Sequence, residues 1–364
     1  MANINEPLLQ LDGSCECDYQ NILPDQDLIK LLKTMIFNRQ LESRLMLLHR
    51  EGRIRFSLTS TGEEAITIGA AYCLNDTDPM FLSYRELGAI LYRNVPLHLI
   101  MNQFFGNAQD LNKGRQMPVH YCFRDYNIPS VSAPVGTQLP HACGFAYASK
   151  LKQEPHIALA FFGEGTASGN DAHAALNFSG VLQSPAIFIL RNNGYAISTP
   201  ESAQTAATNL VDRAKGYGIH GEQIDGNDML LVIQTLKSAV NRARHHHQPT
   251  LIEAMTYRMG AHSSSDDPSA YRTSEETHQW ASFDPLVRLL NHAKWRQLWT
   301  DKDHSDFEQE ISKKIGECIS ECEPLPHPSI DSLFDDVYHT MPPHLQSQKL
   351  NYHTLINKLK EQHP

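Results

Sequence analysis

Apolar side chains recur at spacings of three and four through residues 26–50, QDLIKLLKTMIFNRQLESRLMLLHR. That period predicts an amphipathic helix near the head of the chain. TGEEAITIGAAYCL predicts a second helix, with Thr61 near its start and acids in its first turn, where the positive end of the dipole favours them. A third helix is predicted over about 86–105. The segment KGRQMPVHYCFRDYNIPSVSAPVG, residues 113–136, mixes proline, glycine and aromatics without a period and predicts a long loop. Loops of that length usually carry function.

From residue 137 the pattern changes. TQLPHACGFAYASKLK predicts a helix with Pro140 in its first turn and small residues on successive turns, open to close approach by another backbone. The apolar run HIALAFFG predicts a buried strand, ASGNDAHAALNFSGVL a helix, PAIFILRN a strand, and residues 228–244 a helix feeding the strand PTLIEAMTYR. Strand, helix, strand at this spacing implies a parallel sheet with right-handed crossovers. The fold class is therefore α/β, a doubly wound and mostly parallel sheet with helical extensions at both ends. The expected organisation is an irregular arm over 1–25, an α/β domain over 26–280 and a helical extension over 281–364.

Composition narrows the function. The chain has 364 residues, 41% of them hydrophobic, and a formal net charge of −10. No basic face stands out, which argues against nucleic acid as a partner. No apolar run approaches the roughly 20 residues that span a bilayer, and the first residues resemble neither a secretory nor an arginine-rich targeting leader. A soluble, cytoplasmic protein is expected, or a mitochondrial-matrix one if processed. Seven cysteines, an odd number scattered over the chain, suit a reducing compartment. Cys15 and Cys17 are read as too close to form a useful bridge. Cys318 and Cys322, one helical turn apart, are read as a partly buried helix face rather than a metal pair. His245, His246 and His247 are read as imidazoles at a helix end that faces the negative dipole.

The candidate chemistry lies where the apolar runs stop. FFGEGTASGNDAH ends a buried strand in Gly-Glu-Gly, so one carboxylate, Glu164, stands at a strand's carboxyl end. The next parallel strand ends in Arg191, Asn192, Asn193 and Gly194, on the same sheet edge, where α/β proteins bind ligands. Glu164, Asn193 and a backbone carbonyl near Tyr195 suit Mg²⁺, which takes its remaining oxygens from water and phosphates. The glycines and the helix start that follows suit a pyrophosphate. Either turn alone would be weak; their pairing, order and separation carry the reading. Neither a GxGxxG fingerprint nor a GK[ST] loop is present.

GEG followed by NN resembles the thiamine diphosphate fingerprint, and FFGEGTASGNDAHAALNF…RNNGYAISTP is similar to the alpha chain of the 2-oxo acid dehydrogenases. GRQMPVHY, EAMTYRMGAHSSSDDPSAYR and LFDDVYHTMP resemble the branched-chain branch of that family, from about residue 25 to the end. The resemblance implies a sheet of the thiamine diphosphate-binding type. It also implies that Tyr84 and Arg85 in SYRELG reach the cofactor's diphosphate, with Arg191 as a second clamp and the backbone of Gly165 and Thr166 lining the site. In SAPVGTQ it implies a potassium site at Ser132, Pro134, Thr137 and Gln138. Val135 stands where an aliphatic residue props the bent cofactor, and Ala133 where a serine is common. His262, in a serine-rich and mobile-looking loop organised by Arg258 and Asp266, is implied as the catalytic histidine, suited to proton donation or orientation at neutral pH. Ala261 stands where relatives often carry another histidine, and Ser263 matches a regulatory phosphorylation position in animal relatives.

The implied reaction is thiamine diphosphate-dependent oxidative decarboxylation of branched-chain 2-oxo acids, with transfer of the acyl group to a lipoyl-bearing acyltransferase core. Only the diphosphate half of a cofactor site is legible here. The resemblance implies that a beta subunit supplies the other half, in a heterotetramer of two alpha and two beta chains. The alternatives are a pyruvate or acetoin dehydrogenase alpha subunit, and a noncatalytic assembly paralogue that kept the fold.

Overall fold

The computed structural model describes residues 7–362; residues 1–6 and 363–364 of the two expected extensions lie outside the described residues. Its strands are β1 (Met80–Phe81), β2 (Ala158–Gly163), β3 (Ala186–Asn192), β4 (Tyr195–Ala196), β5 (Thr199–Pro200), β6 (His220–Asp225) and β7 (Thr250–Met255). Five of them form one parallel sheet in the order β1-β2-β3-β7-β6, with Phe161 opposite Ile189 and Ile189 opposite Ile252. β4 and β5 form a separate antiparallel hairpin just past the end of β3.

The strict alternation of a strand divides the apolar residues of β2 between two faces. Leu159 and Phe161 join Ile187, Ile189, Ile252 and Ala254 in a cluster with helices Glu64–Cys73, Leu97–Phe105, Met229–His246 and Asp301–Cys322. Ala158, Ala160 and Phe162 join Phe188, Leu190 and Leu251 on the other face, beneath helices Gln138–Leu151 and Asn170–Leu182. Both faces are covered, which is why these strands read as continuous apolar runs. The α/β, doubly wound, parallel expectation is met.

A third cluster lies away from the sheet. There Leu28, Leu31, Leu32, Met35 and Ile36 of helix Asp25–Arg50 meet Leu286, Leu289 and Ala293 of helix Pro285–Trp295. The same long helix sends Leu41, Leu45 and Leu48 into the main cluster with Ile311, Ile315 and Ile319. Cys318 and Cys322 lie on the buried stripe of helix Asp301–Cys322, as expected of a core-facing helix face. His245 and His246 occupy the last turn of helix Met229–His246, and His247 is its left-handed C-cap. No helix of the described residues is long and apolar enough to cross a membrane.

Several expectations are corrected. The helix predicted over 86–105 is two helices, Leu87–Tyr92 and Leu97–Phe105. Pro96 separates them, because the residue before a proline is pushed out of the helical region. The helix expected to start near Thr61 starts at Glu64 instead. Gly62 takes φ +94°, and any Cβ there would strike the carbonyl oxygen of Tyr257, so residues 61–63 turn against the exit of β7 before the helix begins. Cys15 and Cys17, read as too close to form a useful bridge, are nevertheless paired in a disulfide with Cα atoms 5.5 Å apart. The turns that precede helix Tyr19–Ile22 bring them together, and the ring they close is too small to restrict much of the chain.

Candidate functional site

The carboxyl ends of β2 and β3 open into a cleft of about 280 Å³. It is lined by Tyr84, Arg85, Val135, Glu164, Gly165, Thr166, Arg191, Asn193, Tyr195 and His262, together with Ser83, Gly163, Ala196, Ile197 and Arg258. Ten of the expected residues therefore converge from five stretches of chain. Ser132, Ala133, Pro134, Thr137 and Gln138 do not line the cleft: the first three precede Val135 in the turn, and Thr137 is the N-cap of the helix that Gln138 opens.

Glu164 opens a single helical turn that follows Gly163 at the end of β2. The chain stays tight there because Gly165 lies under the β4–β5 hairpin, where a Cβ would approach that of Ala196 to 2.6 Å. Glu164 is 2% exposed, and its carboxylate accepts the N–H of Asn193 at 3.4 Å. Burial pushes its pKa up to about 7, against the smaller pull of its own and Asn193's backbone N–H groups. A desolvated carboxyl held chiefly by backbone donors is a group that a cation would stabilise.

Asn193 lies beside it. Its Nδ2 donates to Glu63 at 3.0 Å, and its Oδ1 accepts the N–H of Tyr195 at 3.2 Å. The Tyr195 carbonyl accepts from Arg258 at 3.5 Å. One carboxylate, one amide oxygen and one carbonyl thus lie along a single sheet edge, a donor set that suits a hard cation with open positions. Among the described residues no three His, Cys, Asp or Glu side chains converge on one point, so an ion bound here would complete its shell from ligand or water oxygens.

Positive charge surrounds these oxygens. Arg191 is 4% exposed and pairs with Glu63 at 2.8 Å and Glu86 at 2.5 Å, while donating to Ser83 Oγ at 2.9 Å. Its Nε is buried without a partner, as is that of Arg258. Both side chains line the cleft, where guanidinium charge suits an anionic ligand. Arg85 donates to the carbonyls of Thr59 at 2.5 Å and His262 at 2.9 Å.

His262 is fixed by these same arginines. Its Nδ1 lies 3.4 Å from both Arg85 Nη2 and Arg258 Nη1. Burial, then the charges of Arg85 and Arg258, push its pKa down to about 4. Two donors facing Nδ1 make it an acceptor, so the neutral ring carries its proton on Nε2. The loop is anchored rather than mobile-looking. Asp266 accepts the His262 N–H at 2.7 Å and the Tyr271 hydroxyl at 2.6 Å. Arg272 donates to the carbonyls of Arg258, Met259 (2.9 Å) and Gly260 (2.6 Å). Ser264 and Ser57 exchange two bonds across the loop, and Ser263 is 7% exposed.

The turn proposed for potassium is internally bonded. Thr137 Oγ1 donates to the Pro134 carbonyl at 3.1 Å, and Gln138 Oε1 accepts the Gly136 N–H at 3.1 Å. Gln138 Nε2 donates to the Phe161 carbonyl at 2.8 Å, which turns its oxygen away from the sheet and toward the turn. Each of these oxygens keeps a lone pair, and Val135 is 55% exposed at the cleft. The sequence reading missed Glu63, Glu86 and Ser83. The only signal for Glu63 was the doubled acid of TGEEA, which reads equally well as a helix first turn.

A model of the family described as dehydrogenase E1 component matches residues 32–331. The chain is 42% identical over 343 residues to the mitochondrial 2-oxoisovalerate dehydrogenase subunit alpha of Bos taurus, covering 94% of this chain and 75% of that protein. The Homo sapiens protein of the same name is 41% identical, with 94% and 77% covered. The subunit alpha 2 of Arabidopsis thaliana is 39% identical, with 92% and 71% covered.

Proposed function

This chain belongs to the dehydrogenase E1 component family, and on that premise we propose that it is the alpha-type subunit of a branched-chain 2-oxo acid dehydrogenase, binding the diphosphate half of thiamine diphosphate in the cleft. The observation that carries the site assignment is the convergence of Glu164 and Asn193 at the ends of adjacent parallel strands, with a desolvated carboxyl in need of a cation. In this reading Glu164, Asn193 Oδ1 and the Tyr195 carbonyl hold Mg²⁺. Tyr84, Arg85 and Arg191 would hold the diphosphate, with the backbone of Gly165 and Thr166 lining the same cleft. Val135 props the cofactor, with Ala133 beside it. Ser132, Pro134, Thr137 and Gln138 hold K⁺.

Bound there, thiamine diphosphate supplies an electron sink for loss of carbon dioxide from a 2-oxo acid. The protein's part is electrostatic and positional. Arg85 and Arg191, with the metal, offset the charge of a diphosphate. His262 presents Nε2–H at neutral pH without carrying a charge, which suits it to orient a substrate oxygen or return a proton. Glu164 is the sole carboxylate among the residues lining the cleft. A second carboxylate, needed at the cofactor's aminopyrimidine ring, would come from a beta subunit. The proposed assembly is two alpha and two beta chains serving a lipoyl-bearing acyltransferase core, in the cytoplasm or, for a processed form, the mitochondrial matrix.

The test is carbon dioxide release by the chain co-purified with its beta partner, from 2-oxoisovalerate and from pyruvate, with thiamine diphosphate, Mg²⁺ and an artificial electron acceptor. Preference for 2-oxoisovalerate, abolished by Glu164→Ala, is expected. Preference for pyruvate would overturn the substrate assignment. No release from either substrate by an assembled, cofactor-bound complex would overturn the catalytic role.

A further inference from the structure

Glu63 belongs to neither the cleft wall nor the sequence motifs, yet it is fully buried and touches three groups of the site. Its Oε2 accepts Arg191 Nη1 at 2.8 Å, its Oε1 accepts Asn193 Nδ2 at 3.0 Å, and Arg85 Nε lies 3.9 Å away. It arrives there because the left-handed turn at Gly62 presses residues 61–63 against the exit of β7, where Met259 N–H donates to the Thr61 carbonyl at 3.0 Å. We infer that Glu63 is the positioning residue that makes Asn193 a metal ligand, by fixing which end of its side-chain amide faces Glu164.

This role rests on the metal assignment proposed above and on which atoms donate and which accept. An amide offers an oxygen at one end and two N–H donors at the other, so a ligating asparagine must be held the right way round. A carboxylate paired with an arginine only accepts. Glu63 therefore holds the NH₂ end of Asn193, and Oδ1 is left to face the backbone N–H of Tyr195 and the edge that carries Glu164. The reversed amide would set its oxygen against Glu63 and its NH₂ against the Tyr195 N–H, two repulsive contacts in a buried place. Arg191 is fixed by the other oxygen of the same carboxylate, so one side chain orients both a metal ligand and a diphosphate clamp.

A merely structural role would make Glu63 a counter-ion for Arg191 and nothing more, and substitutions separate the two. In Glu63→Gln the oxygen of the new amide goes to Arg191, its NH₂ faces Asn193, and Asn193 turns to present Oδ1 to it. In Asn193→Asp alone, a second carboxylate is placed against Glu63, so metal binding weakens although the ligand has gained a charge. In the double variant the NH₂ of the new amide at position 63 donates to the new carboxylate at position 193. The two oxygens of that carboxylate are equivalent, and orientation no longer matters. The second substitution is thus harmful in one background and restorative in the other, a coupling that independent sites do not show.

The measurement uses the alpha–beta assembly and no turnover. Calorimetric titration of thiamine diphosphate at a series of Mg²⁺ concentrations gives the metal level for half-maximal binding, and Mn²⁺ paramagnetic resonance reports the ion directly. For Glu63→Gln the half-maximal metal concentration is expected to rise about 10–100-fold, the usual cost of losing an outer-shell partner. Asn193→Asp is expected to weaken the metal too, and the double variant to bind it better than either single variant. An unchanged metal requirement in Glu63→Gln, tighter metal in Asn193→Asp, or additive effects in the double variant overturns the inference while leaving the metal site standing. If Glu63→Gln does not assemble, Asn193→Asp alone decides by its direction. Thiamine diphosphate binding by the unsubstituted assembly with no need of a divalent cation overturns the metal site and this inference together.

Discussion

Replacing Glu164 with glutamine should make the metal-free, cofactor-free protein more stable while destroying its metal-dependent binding. Burial raises the Glu164 pKa from an ordinary 4.5 to about 7. The folded state thus keeps its proton where the unfolded chain has released it. Stability falls as pH rises through the window from about 4.5 to 7, and the penalty is complete above it. At about 1.36 kcal/mol for each tenfold change in proton affinity, the penalty above that window is about 3 kcal/mol. Glutamine carries no charge to desolvate and keeps an oxygen for the Asn193 N–H. Spread over the unfolding entropy of a 364-residue chain the gain is about 4 °C in Tm, and it is smaller where a beta chain melts in the same transition. The assay is thermal unfolding of the assembled protein, stripped of metal and cofactor, at pH 8 and pH 4.5. Glu164→Gln should melt higher than the unsubstituted protein at pH 8, with the gap closing at pH 4.5. Added Mg²⁺ and thiamine diphosphate should raise only the unsubstituted protein. A variant that melts lower at pH 8, or a gap independent of pH, would refute the claim that this carboxyl is strained by desolvation.

Other consequences are equally direct. Because His262 is held neutral by burial and two guanidiniums, its folded pKa is depressed to about 4; isotope-labelled histidine NMR should show Nε2 protonated and no titration of this ring near pH 6.5, and its contribution to stability is lost as pH falls from about 6.5 toward 4. Gly62→Ala forces a Cβ onto the Tyr257 carbonyl at φ +94°, so calorimetry should show a loss larger than the ~1 kcal/mol typical of point substitutions. Phe161 is fully buried in β2, an interior strand of the sheet, and Phe161→Ala should cost about 3–5 kcal/mol by denaturant titration. Arg272→Met removes the donors to three successive carbonyls, and limited proteolysis should then cut between residues 258 and 266, where the unsubstituted loop resists.

How much of this was legible before the structure depends on how local each signal is. β2, β3 and β7 are buried on both faces, and each announces itself as an apolar run. Glu164 and Asn193 could be placed on one edge because parallel strands joined by a helix end on the same side. β6 was invisible because it is an edge strand whose residues HGEQID bury only Ile224, and the two-residue β1 is too short to carry a pattern. Glu63 is a long-range fact. It meets Arg191 and Asn193 across 128 and 130 residues of sequence, and nothing in TGEEA distinguishes an acid that orients an amide from one that greets a helix dipole. The loop around His262 was read as mobile from its serines, whereas its order comes from Arg272 and Tyr271, which follow those serines in sequence.

Helix Asp25–Arg50 has a consequence for how the chain is made. Its buried stripe packs against Leu286, Leu289, Ile311 and Ile315, which leave the ribosome long after the helix itself. About 250 residues separate Ile36 from Leu286, so at ~5–20 residues per second the stripe waits roughly 13–50 s for its cover. The nascent chain is exposed to aggregation throughout that interval, and yield during expression should respond to holdase chaperones and growth temperature more than to any change in the finished site.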